Sequence, residues 1–111
     1  MEWRAATIET VSKIVEDDLK ECGGDEAATF SKYRVEPHRS PITRYGRDES
    51  VVVVSRRQNE VIYWEDVEEG FNRSPVRADG RILDHLCNQD DLRLALYAWV
   101  REDRKLSSSE T

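Results

Sequence analysis

Cysteine is scarce here: Cys22 and Cys87 are the only two in 111 residues. That is too few for a disulfide framework, so packing and hydrogen bonds must hold the fold. No apolar run approaches the roughly 20 residues of a membrane-spanning helix. Nothing resembles a signal peptide, because Met1-Glu2-Trp3-Arg4 runs straight into a charged segment. The expectation is a cytoplasmic protein with reduced thiols and no membrane association. Phosphate-binding glycine loops and hydrolase elbows are missing as well. Apolar residues are few: 38% are hydrophobic and 36% charged, where about a quarter charged is usual. The length fits a single domain, 1–111, with a lean core, and association is a common remedy for a lean core.

What is present starts with charge. The net of −6 is unevenly placed, with residues 32–57 positive and the segments on either side, 1–31 and 58–91, negative. Such runs ordinarily form solvated faces. The overall acidity opposes phosphate contact, so nucleic acid is not an expected partner even though Tyr33 and Tyr45 interleave with arginines.

The stretch from Val51 to Asp66 is the organising one. Val51-Val52-Val53-Val54-Ser55-Arg56 and Glu60-Val61-Ile62-Tyr63-Trp64-Glu65-Asp66 flank a polar turn and predict a β-hairpin. Asn59 suits the left-handed position of that turn. Four consecutive valines have no polar side, so both faces of this strand want cover.

On either side of the hairpin the pattern is mixed. An amphipathic helix is expected from about Trp3 to Glu21, with Ala5, Ile8, Val11, Val15, Leu19 and Cys22 on one face and Gly23-Gly24 ending it. Thr29 to Val35 alternates as a strand would. Pro37 to Ser50 reads as a long basic connection, with Pro37, Pro41 and Gly46 alongside His38, Arg39, Arg44 and Arg47. Gly70 suggests a turn or bulge with Phe71 returning to the core. Asp79-Gly80 marks a tight turn, and Arg81 to Asp84 forms a short last strand. A second helix starts near Asn88, with Asp90 and Asp91 in its first turn and Arg104-Lys105 near its end. Its core stripe is Leu92, Ala95, Leu96, Trp99 and Val100, and residues 106–111 read as a disordered tail.

The fold class expected is α+β, an antiparallel sheet of three to four strands with the N- and C-terminal helices packed on it. Leu94 and Tyr97 lie outside the core stripe of the last helix. Together with the valines' need for cover, they predict a homodimer.

Candidate chemistry is thin. His85 and Cys87, near Asp84 and Asp90, make one half of a metal site without the second ligand pair that zinc needs, so no metal and no cofactor is expected. Cys87 ahead of a helix could be an activated thiol, although an isolated cysteine is usually a core residue. Glu65, Asp66, Glu68 and Glu69 offer paired carboxylates without an accompanying nucleophile or base. Ala78-Asp79-Gly80-Arg81-Ile82 resembles part of a calcium loop, but Pro75 and Arg77 stand where carboxylates belong. No catalytic residue is assigned.

The run Trp64-Glu65-Asp66-Val67-Glu68-Glu69-Gly70-Phe71, with Cys87-Asn88-Gln89 and Leu92, resembles short uncharacterised bacterial proteins, including those carried on integron-type mobile gene cassettes. That resemblance implies an immunity-like or accessory binding protein and carries over no functional residue. The function expected is therefore a small, acidic, non-catalytic interaction protein. Tyr63, Trp64, Glu65, Asp66, Glu68, Glu69 and Phe71 would face a basic protein partner, and Leu94 and Tyr97 the second copy. The rival is a small-molecule binder with a pocket between sheet and helices lined by Tyr63, Trp64, Phe71 and Trp99. A weaker rival is an enzyme using the acidic turn or Cys87.

Overall fold

Four antiparallel strands in the order β1-β2-β3-β4 form the sheet of this α+β protein: β1 (Arg34–Arg44), β2 (Arg47–Arg57), β3 (Glu60–Glu65) and β4 (Gly70–Pro75). Helices α1 (Ile8–Leu19) and α2 (Gly24–Tyr33) precede them, and α3 (Leu92–Ser109) follows. The structure, a computed structural model, describes residues 6–44, 46–66, 69–83 and 90–109. As the valine hairpin requires, β2 and β3 are the central strands.

Both faces of β2 are buried, and side-chain alternation explains how. Val52 and Val54 turn to one face and pack with Val11, Val15, Phe30, Leu92, Leu96 and Trp99 from the three helices. Val51 and Val53 turn to the other and pack with Ile42, Val61, Tyr63, Val76 and Ile82. The expected demand for cover is real, but the chain meets it alone, through the segment that follows β4. In that segment Ile82 bridges Ile42 of β1 on one side and Val76, just past β4, on the other. Ile82 N–H donates to the Pro41 carbonyl at 2.9 Å, and Leu83 N–H donates to the Pro75 carbonyl at 3.1 Å. One residue thus ties the two edge strands together, and the sheet curls around the second apolar cluster. The second valine face therefore gives no support to a dimer.

Several local expectations change. The predicted strand at 29–35 is helical up to Tyr33, because Gly23 sits extended at the N-cap of α2 instead of ending α1. Asp25 and Glu26 favour the positive end of α2 and Lys32 the negative end. The C-cap of α1 is Lys20, and its N-cap is Thr7, whose hydroxyl accepts from Thr10 N–H at 3.0 Å. The presumed loop from Pro37 to Ser50 is the β1–β2 hairpin. Both prolines sit on an edge strand, where a missing N–H costs no ladder bond. In the β2–β3 turn it is Gln58, with φ of 55°, that takes the left-handed conformation, not Asn59. The Asp79-Gly80 turn forms, with Gly80 at φ of 92° and Arg81 N–H on the Asp79 carboxylate. The short strand expected at 81–84 reduces to the Ile82 bridges, with Asp84 outside the described residues. Asp91 caps α3, its carboxylate accepting from Leu94 N–H at 3.0 Å, whereas Asn88 lies outside the described residues. The last helix then continues to Ser109, through most of the predicted tail.

Candidate functional site

Two regions collect polar and aromatic groups, and they differ in what they can do. The first surrounds Asp103, which α3 turns inward. Both of its carboxylate oxygens accept from the Tyr33 hydroxyl at 3.0 Å, and one accepts from Arg57 Nε at 3.3 Å. Lys32 stands 3.8 Å from the other oxygen. Beside this group, Trp99 Nε1 donates to Glu60 at 3.2 Å, and its ring meets Tyr33 edge-on at 5.6 Å. Glu60 also pairs with Arg73. Tyr33 and then Asp103 hold the Lys32 ammonium above its ordinary value. Burial works against the charge of Arg57, but Tyr33 and Asp103 outweigh it and the shift is upward. Cations locked this way serve as clamps joining α2, α3 and the β2–β3 turn; none is a proton donor near neutral pH.

The second region is the outward strip of α3. Leu94 and Tyr97 are 54% and 58% exposed, and the Arg101 guanidinium lies over the Tyr97 ring at 5.7 Å. Arg93, Arg104 and Lys105 are exposed beside them.

The acidic turn is built differently from the open face expected of it. Glu65 and Asp66 are buried, and Asp66 accepts from Ala6 N–H at 3.0 Å, fixing the approach to α1. Arg39 donates to the Ala6 carbonyl at 2.8 Å, so this one peptide position is gripped from both sides. Of the predicted carboxylates only Glu69 is exposed, and Glu68 lies outside the described residues. A basic partner could not engage these groups as one surface.

The aromatic set is divided as well. Trp64 meets Phe71 edge-on at 5.1 Å on the helix side of the sheet, where Trp99 also packs. Tyr63 belongs to the opposite face, beside Val53 and Val61. Phe71, Tyr63 and Trp99 are fully buried, so the four residues of the pocket reading do not converge on one cavity. His85 and Cys87 lie outside the described residues. Among the described residues no group of three or more His, Cys, Asp or Glu side chains is placed to hold a metal ion. None of the described helices is long and apolar enough to cross a membrane.

Cys22 is half-buried, and burial, then the carboxylates of Glu26, Asp18 and Asp91, push its thiol above the ordinary 9.0. Its thiolate is therefore scarce at neutral pH. In a Cys87→Ser background, Cys22 should alkylate more slowly than a free cysteine at pH 8, with a rate still rising above pH 9. A rate that levels off near pH 7 would make it an activated thiol instead.

No family model matches this chain, and neither a curated protein nor a solved structure matches it significantly.

Proposed function

We propose that this is a non-catalytic binding protein that acts as a homodimer and docks through the outward strip of α3. The observation carrying the reading is the exposure of Leu94 and Tyr97 on a helix whose other large apolar side chains near them, Leu92, Leu96 and Trp99, are fully buried. Exposed apolar surface on one face of a lean-cored protein is what an interface requires. A cytoplasmic location and kinship with cassette-borne bacterial proteins belong to the same proposal, and rest on the sequence features given above. A toxin or enzyme gene beside this one would support the accessory role.

The test is light scattering at micromolar concentration. The wild type should show the mass of two chains, and the double substitution Leu94→Glu, Tyr97→Glu the mass of one. Each of these side chains contributes about 1.5–3 kcal/mol when buried, and a two-fold interface uses each twice. The dissociation constant should therefore rise on the order of a thousandfold or more. A wild-type monomer would overturn the proposal. A doubly substituted protein that stays dimeric would move the interface off α3.

A further inference from the structure

We infer that the surface received by the α3 strip is the outward face of α1 on a second copy, so that one two-fold dimer contains two equivalent α3–α1 contacts. This inference rests on the homodimer reading and names the surface that fills its interface.

Charge decides against one alternative, an antiparallel pair of α3 helices. Arg93 and Arg104 are eleven residues apart, which places them within about 20° of one another on one flank of the helix. Glu102 lies on the other flank. A two-fold axis that packs antiparallel helices side by side sets each flank against the same flank of the partner. An antiparallel α3–α3 pair therefore meets arginine with arginine along the Arg93–Arg104 side. Like charges at such spacing repel.

The complement lies elsewhere on the chain. Exposed α3 carries Arg93, Arg101, Arg104 and Lys105 against Glu102, while Asp103 is turned inward to Tyr33. Arg104 is engaged by Asp25, but Arg93, Arg101 and Lys105 make no ion pair among the described residues. On α1 and its following turn, Glu9, Glu16, Asp17 and Glu21 are exposed with Lys13 and Lys20. Lys20 is held by Asp17 at 3.6 Å and Glu16 is shared with Arg34 at 3.1 Å, leaving Glu9 and Glu21 without an ion pair among the described residues. The two faces are neighbours. The Asp18 carboxylate accepts from Leu92 N–H at 3.0 Å, so the end of α1 meets the start of α3. An axis passing between them can lay each copy's α3 on the other's α1. Cations then meet carboxylates at both contacts, with Leu94 and Tyr97 in the middle.

Complementary charge reversal tests this. One variant carries Arg101→Glu and Lys105→Glu, the other Glu9→Lys and Glu21→Lys. Each alone should raise the dimer dissociation constant on the order of tenfold or more, since every change counts twice. An equimolar mixture should regain near-wild-type affinity, because the heterodimer pairs reversed α3 with reversed α1 and native α3 with native α1. Sedimentation of labelled chains reads both results, and circular dichroism melts check folding. Should either variant melt early, the salt dependence of the wild-type dimer stands in, with a dissociation constant that rises with ionic strength. A wild-type dimer that ignores charge reversal, a mixture that stays dissociated, or a salt-independent constant would overturn the α3–α1 contact alone. A wild-type monomer would overturn the homodimer reading with it.

Discussion

Trp99→Ala is expected to cost about 3–5 kcal/mol of folding stability, the range for removing a large aromatic side chain from a packed core. Trp99 is fully buried where α3 meets the sheet, in the cluster that includes Val52, Val54, Phe30 and Phe71. Substitution removes its apolar volume, its edge contact with Tyr33 and its hydrogen bond to Glu60. Domains of this size have about 5–15 kcal/mol in hand, so the variant should be marginal at room temperature. Trp99→Phe keeps a ring but not the N–H, and should lose about 1–2 kcal/mol, the scale of one hydrogen bond and some packing. Urea denaturation followed by circular dichroism measures both. A Trp99→Ala loss below about 1 kcal/mol would mean that the helix layer is not packed on the sheet as described.

Asp103→Ala should be the next most damaging. One carboxylate receives Tyr33 and Arg57 and attracts Lys32. Breaking a buried ion pair by removing one partner costs about 3–5 kcal/mol. The side chains of Asp103 and Arg57 are 20% and 10% exposed, and Lys32 is largely in solvent. Screening lowers the expectation to about 2–3 kcal/mol. Asp103→Asn retains an acceptor for Tyr33 and should lose roughly half as much. In a double-mutant cycle with Tyr33→Phe, the two changes should be non-additive by at least about 0.5 kcal/mol. Additive losses would show that Tyr33 and Asp103 act independently.

How much of this was legible in the sequence depends on the length of interaction involved. The four valines specified a strand buried on both faces, and that holds, because side-chain alternation is a purely local constraint. Leu94 and Tyr97 were likewise marked as outward by helical spacing, and they are exposed. Thr29 to Val35 misled because a short apolar alternation is ambiguous between helix and strand. The better signals were the acidic residues Asp25 and Glu26 behind Gly23, which mark a helix start. Pro37 and Pro41 argued for a loop only if β1 were central, and sequence does not say which strand takes the edge. The burial of Glu65 and Asp66 was hidden for a related reason. Asp66 finds its partner at Ala6, sixty residues away, and composition alone scored it as an exposed charge. Asp103 was unreadable on the same grounds, since Tyr33 and Arg57 come to it from distant parts of the chain.

The order of synthesis gives the Asp18–Leu92 contact a further meaning. Besides Asp91, the start of α3 uses a carboxylate of the first helix, Asp18, 74 residues upstream. Val11 and Val15 likewise share a cluster with Leu92, Leu96 and Trp99, which are made after the whole sheet. Strands β1 to β4 are local hairpins and can pair as they emerge. The first helix cannot bury its apolar stripe fully until α3 exists. At ribosomal rates of about 5–20 residues per second, that leaves several seconds with the stripe only partly covered. Over that interval the exposed Glu9, Lys13, Glu16, Asp17 and Lys20 keep the rest of the α1 surface charged and solvated.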